Sequence, residues 1–192
     1  MENPGETLVG DYLRFVLECD FVDFNVYTKT VQGEIDVIGI NNTTKHVYIC
    51  EVVTHLATGM QYTKDKRPDT GDRLARKFIK DIDYGKVAFE GYAKTYMFWS
   101  PVVKPSNGKV EYNQFLHLQQ AVDEVKKATG IEIKRIINED YVKAINDLRD
   151  FAQKETKELK SPIMRFLQIE HYATHNLKRL KKTRFITPPS AG

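Results

Sequence analysis

The chain has 192 residues, enough for one domain with a full core and an appendage, and a hydrophobic content of 41% sets it apart from disordered sequences. Lys and Arg number 29 against 26 Asp and Glu, so the net charge of +3 cannot by itself argue for nucleic acid, and only its distribution can. No apolar run nears the ~20 residues of a bilayer span, no secretory leader opens the chain, and two cysteines found no disulfide framework, so a cytoplasmic protein with no membrane partner is expected.

Residues 7–18 place Leu8, Tyr12, Leu13, Val16 and Leu17 at helical spacing behind Pro4-Gly5, which predicts a first helix. Residues 24–31 and 34–41 read as strands hinged at Gln32-Gly33. The polar turn Asn41-Asn42-Thr43-Thr44-Lys45 leads into a third strand at 46–54, and the three form an antiparallel meander. Residues 60–70 are polar and basic and read as a loop. Helical period returns over 72–92 with Leu74, Ala75, Phe78, Ile79 and Ile82 inward, followed by a short strand at 94–99 and a loop at 101–108. A helix over 112–128 is built on Phe115, Leu118, Ala121, Val122 and Val125, and a last strand covers 131–137. Cys19 and Cys50, set among apolar residues, read as core thiols, and Trp99 as core.

Asn138 followed by Glu139 and Asp140 is a cap with acids in the favoured first turn. Ser161-Pro162 repeats the start signal, so two helices close the chain. The expected organisation is an α/β core over 1–137 in the order α-β-β-β-α-β and then α-β. A helical extension over 138–185, basic at its end, and a tail over 186–192 follow.

Two acids stand out. Asp36 in Gly33-Glu34-Ile35-Asp36-Val37-Ile38-Gly39 and Glu51 in Val47-Tyr48-Ile49-Cys50-Glu51-Val52-Val53 each interrupt apolar, β-branched strand sequence. An unpaired buried carboxylate costs many kcal/mol, so strand acids that converge need a cation or a basic group. Hard oxygen ligands in a pair suit magnesium or manganese, and such an ion beside a phosphodiester can activate water. Glu34 shares the face of Asp36 and is either an outer ligand or a solvated edge acid.

A helix with an early acid, Gly-Glu-Ile-Asp on one strand, Glu51-Val52 on the next, then a helix and a strand: this arrangement resembles the core of the PD-(D/E)XK nuclease superfamily. It is most similar to the small prokaryotic branches that hold Holliday-junction resolvases and Mrr-like restriction enzymes, and the likeness covers about residues 5–100. The resemblance implies a restriction-endonuclease-like fold and magnesium- or manganese-dependent hydrolysis of DNA. Asp36 and Glu51 would be the metal ligands, the backbone carbonyl of Val52 a further one, and Glu6 on the first helix would complete the shell. A homodimer is expected on the ground that one small site cuts one strand and two-fold DNA is matched by a two-fold protein.

The likeness breaks at one position. The superfamily's motif ends in a lysine two residues after the second acid, where this chain has Val53, and an isopropyl group can neither orient water nor offset phosphorane charge. Three accounts stand side by side. The lysine has migrated to the following helix, where Arg73, Lys77 and Lys80 share a face and Lys77 is the candidate catalytic ammonium; or the chain is a catalytically silent DNA-binding module; or the valine was introduced to inactivate an enzyme. For DNA contact the candidates are Lys64, Lys66, Arg67 and Arg73 near the second helix, and Lys178, Arg179, Lys181 and Lys182 in an acid-free terminal helix, whose alternative is a solvated basic face. His171 and His175 at i, i+4 lack a third zinc ligand. No Gly-x-Gly-x-x-Gly and no phosphate-binding loop occurs, so no nucleotide cofactor is expected.

Overall fold

The computed structural model describes residues 3–27, 34–60, 62–64, 67–106 and 113–183. In chain order the elements are α1 (Pro4–Phe15), β1 (Phe21–Tyr27), β2 (Glu34–Asn41), β3 (His46–Val52), β4 (Thr63–Lys64), β5 (Arg67–Pro68) and α2 (Thr70–Ala88). Then come β6 (Ala93–Ser100), α3 (Gln114–Thr129), β7 (Ile133–Ile137), α4 (Glu139–Lys154) and α5 (Pro162–Thr183). The expected α/β class holds among these residues, and so does the element order apart from β4 and β5. Strand β1 begins three residues before the predicted start, and residues 28–31 of that prediction lie outside the described residues.

The five-stranded sheet runs in the order β1-β2-β3-β6-β7. Strands β1, β2 and β3 are antiparallel neighbours, as expected of the meander, and Lys45, with φ of +51°, closes the tight turn between β2 and β3. Strands β6 and β7 are each parallel to their preceding neighbour, which requires a crossover, and α2 and α3 supply them. Both crossovers step the same way across the sheet, so a common hand puts both helices on one face, where they pack against each other. Helices α1 and α4 cover the opposite face, and α5 lies against α4 and α1.

Period-two alternation divides the core accordingly. Val47 and Ile49 of β3 and Val53 just beyond it join Leu74, Phe78 and Ile82 of α2 and Leu118 and Val122 of α3. Cys50 and Val52 join Val9 and Leu13 of α1 and Tyr141 and Ala144 of α4 on the other side. Trp99, fully buried there, meets Tyr12 edge-on at 5.1 Å between ring centroids and Tyr141 at 6.0 Å. Burying an aromatic of that size is worth several kcal/mol, so Trp99 is a principal tie between α1, the sheet and α4.

Three sequence expectations need correction. The supposed loop before α2 contains the two-stranded ribbon β4–β5, too short to leave a periodic trace. Phe115, expected inward, is 41% exposed because the buried stripe of α3 runs through Leu118, Ala121, Val122 and Val125. Asn138 does not cap α4: at φ of +50° its side chain bridges the Val103 N–H (2.8 Å) and carbonyl (3.0 Å) instead. At Asn138 a tertiary partner took the place of the local one. Helix α5 begins at Pro162 as the Ser161-Pro162 signal predicts, and the Ser161 hydroxyl donates to buried Asp11 of α1.

Candidate active site

Strands β2 and β3 pair Val37 with Cys50 and Ile38 with Ile49. One step further in that register Asp36 stands opposite Glu51, so both carboxylates point to the α2 face of the sheet. They lie toward the carboxyl end of β3, where β3 and β6 run parallel, and open α/β sheets place their ligand crevices at such ends. Asp36 is 8% and Glu51 2% exposed.

Helix α2 brings the counter-charge. Its stripe of Leu74, Ala75, Phe78 and Ile82 is buried against the sheet, which holds the helix edge bearing Lys77 and Asp81 over the two strand acids. The ammonium of Lys77 lies 3.0 Å from Asp36 Oδ1 and in direct contact with Glu51 Oε2. Sequence spacing groups Lys77 with Arg73 and Lys80 on one helix face. In the fold its stem runs along the border of the apolar stripe and its head reaches inward, a long cation's usual way of keeping both environments. The other Asp36 oxygen, Oδ2, accepts the Val52 N–H at 2.7 Å, which fixes the carboxyl against the end of β3.

Asp81 is the functional candidate that sequence reasoning missed. It is 5% exposed, and it and Glu51 perturb each other's carboxyls, Asp81 raising Glu51 and Glu51 lowering Asp81. Alone in a helix an aspartate reads as solvated. The available signal was its spacing, one turn beyond Lys77 and three residues after buried Phe78. Three buried carboxylates thus crowd together, and the Lys77 ammonium touches two of them. Burial, then the charge of Asp36, pushes the Glu51 carboxyl well above its usual range, with Lys77 opposing. Burial likewise pushes Asp81 up to about 6. For Lys77 burial works against the charged form, but Glu51 and Asp36 outweigh it and hold the ammonium more firmly than usual.

At the rim, Glu6 in the first turn of α1 accepts from Asn25 Nδ2 at 3.2 Å, made possible by a positive φ of 51° at Asn25 within β1. Glu6 is raised by burial, with Asn25 opposing and the charge of Asp36 adding to it, so it belongs to the same acidic neighbourhood. Arg73 is exposed and stacks its guanidinium on the Tyr62 ring, 4.5 Å from the centroid. Tyr62 is raised mainly by burial and senses Lys77, Arg73, Glu51 and Asp36, which puts this stack beside the acids. Lys80 is exposed.

The remaining candidates are placed as follows. Lys64 and Arg67 lie in the backbone of the ribbon, and Lys66 falls outside the described residues. Lys178, Arg179, Lys181 and Lys182 lie in the last turns of α5, a helix that packs on α4 and α1 rather than on α2. Val52 meets Asp36 through its N–H. Val53 is 5% exposed and is part of the core between sheet and α2.

Among the described residues no set of three or more His, Cys, Asp or Glu side chains is arranged to hold a metal ion. Two facing carboxylates do suit magnesium, which commonly takes one or two protein carboxylates and keeps waters for the rest. A further sign fits it: Glu51 Oε1 is buried and has no hydrogen-bond donor. Comparison with protein-family models, with curated proteins and with solved structures returned no match. Among the described residues no helix is long and apolar enough to cross a membrane.

Proposed function

We propose that this chain is a magnesium- or manganese-dependent endonuclease of restriction-endonuclease-like fold that hydrolyses DNA phosphodiester bonds. One observation carries the reading: a buried acid pair on adjacent strands, met by a lysine that the neighbouring helix delivers. Sheet order and helix placement agree with the superfamily core, in which a helix, a meander, a crossover helix and a parallel strand surround such a pair. Asp36 and Glu51 would hold the cation, with the Val52 carbonyl and Glu6 as further oxygens. When bound, that cation supplies Lewis-acid polarisation of a phosphate oxygen and a lowered pKa for its water.

The chain's own residues do the rest. Lys77, touching both acids, takes the role that Val53 cannot, orienting the attacking water and offsetting charge that develops on the phosphate oxygens. Arg73 is set to grip a neighbouring phosphate. Lys64, Lys66 and Arg67, and Lys178, Arg179, Lys181 and Lys182 on α5, would track the DNA backbone without reading sequence. A homodimer would let two such sites address both strands.

The test is incubation with supercoiled, linear and branched DNA, with and without magnesium or manganese. Cation-dependent cleavage by the wild type, lost in Asp36→Ala and in Glu51→Ala, is expected. Cleavage that survives in the double variant removes the assignment.

A second reading draws on the same ion pair: an ammonium that permanently neutralises the acids would suit a DNA-binding module without catalysis. Calorimetry separates the two, since the silent module takes up no manganese in a manner dependent on Asp36.

A further inference from the structure

Helix α5 is apolar on two sides, and the fold buries one of them. Met164 and Leu167 pack on Leu148 and Ala152 of α4. Phe166, Ile169, Ala173 and Leu177 share a different side by helical spacing. The three large ones are each more than half exposed, and every residue from Tyr172 to Leu177 is exposed. Apolar side chains left together in water mark an interaction surface, and helical turns that pack on nothing are marginal by themselves.

The spacing of the stripe indicates what covers it. Ile169 and Leu177 stand four residues either side of Ala173, Phe166 stands seven before it, and the sequence continues with Leu180 seven after it. A series that reads alike in both directions from its midpoint meets itself when a second copy of the helix is turned end for end. That is the self-complementarity a two-fold interface demands. In this register Ala173 lies on the axis, small enough for close approach, and Ile169 of each copy faces Leu177 of the other. Charge selects the same direction. The only acid of α5 is Glu170, in its first half, and Lys178, Arg179, Lys181 and Lys182 crowd its end. Parallel pairing would set those four cations against their own copies, whereas antiparallel pairing sets them against the half that holds Glu170.

We infer that α5 is a self-association surface, on which a second copy of this chain docks its own α5 antiparallel about a two-fold axis at Ala173. The inference names the interface for the homodimer of the proposed nuclease, but it stands on α5 alone and needs neither the acid pair nor DNA.

The test is sedimentation equilibrium of the full chain up to about 100 µM. The samples are the wild type, Ile169→Glu, Leu177→Lys, and an equimolar mixture of the two variants. The wild type is expected to dimerise. Each variant alone would bury two unpaired charges per dimer and is expected to associate at least about 100-fold more weakly. The mixture is expected to regain at least about tenfold. Antiparallel pairing sets the new carboxylate against the new ammonium at one contact and leaves Ile169 against Leu177 at the other, whereas parallel pairing offers neither charge a partner. Both positions are exposed, so the melting temperatures of the variants should match that of the wild type when dilute. Should either variant fail to fold, Ala173→Glu, which sets two like charges on the axis, is expected to be monomeric. A wild type that stays monomeric overturns the inference, as does a dimer that survives in the single variants or a mixture no tighter than its components. A wild-type dimer that cuts no DNA removes the nuclease reading and leaves this one standing; cleavage by a chain that stays monomeric does the reverse.

Discussion

At the scale of single residues, Lys77 decides most. Its ammonium is the only cation in contact with the strand acids among the described residues, so Lys77→Met leaves buried carboxylates without a counter-charge. Removing one partner of a buried pair costs about 3–5 kcal/mol. Here 35% of the Lys77 side chain meets solvent, so about 1–3 kcal/mol is the better expectation. Millimolar magnesium should recover more melting temperature in Lys77→Met than it adds to the wild type, because the ion takes over the lost charge. Equal effects in the two proteins would show that lysine and cation do not serve the same acids. On the proposed chemistry, Lys77→Ala also slows cleavage by at least about 10²-fold, measured as single-turnover rate. Val53→Lys, attractive from sequence, now looks costly, since position 53 lies in the core between β3 and α2.

At the scale of elements, two contacts fix α1, the helix that carries Glu6. A Cβ on Gly5 would overlap Thr54 Cγ2, so the first turn of α1 meets the chain just beyond β3 with no room for a methyl group. Gly5→Ala should destabilise by about 1–3 kcal/mol, the usual cost of overpacking. Thr54→Ser, which removes that Cγ2, should restore most of it; a double variant as unstable as the single would locate the cost elsewhere. The second contact is Ser161 at the start of α5, donating to Asp11 of α1. Burial raises the Asp11 carboxyl and the Ser161 hydroxyl opposes that rise. An acid whose folded pKa is raised loses stability as pH climbs through it, and the hydroxyl limits the loss. Ser161→Ala should therefore cost little at pH 3, where Asp11 is protonated either way. At pH 7 it should cost about 1–3 kcal/mol, read from denaturant midpoints at the two pH values. A cost independent of pH would mean the hydroxyl does not serve the ionised form.

At the scale of the whole molecule, a cation that binds only the folded state stabilises it by mass action, about 2.7 kcal/mol at a hundredfold excess over Kd. For a chain of this length that is a rise of roughly 5–10 °C in Tm, expected for the wild type and absent in Asp36→Ala and Glu51→Ala. Much of the fold was legible beforehand, because apolar period distinguishes strand from helix and the three-strand meander, two crossovers and closing helices each left one. Asp36 and Glu51 were legible as charges breaking strand sequence, and the valine at 53 directed attention to α2 and so to Lys77. Asp81 was not legible, because nothing local separates a helix acid that turns inward from one that faces water. Neither were the partners of Asn138 and Ser161, which lie 35 residues away at Val103 and 150 residues away at Asp11.

Cys50 offers a gauge that the fold supplies without engineering. It sits next to Glu51 in sequence yet, by strand alternation, its sulfur is sealed on the far side of the sheet, fully buried and pushed by burial far above an ordinary thiol. An alkylating reagent can reach it only when β3 separates from its neighbours, so the labelling half-time becomes a clock for local opening directly behind the acids. Run with and without magnesium, that clock reports how far an occupied cation site braces the strand that carries it.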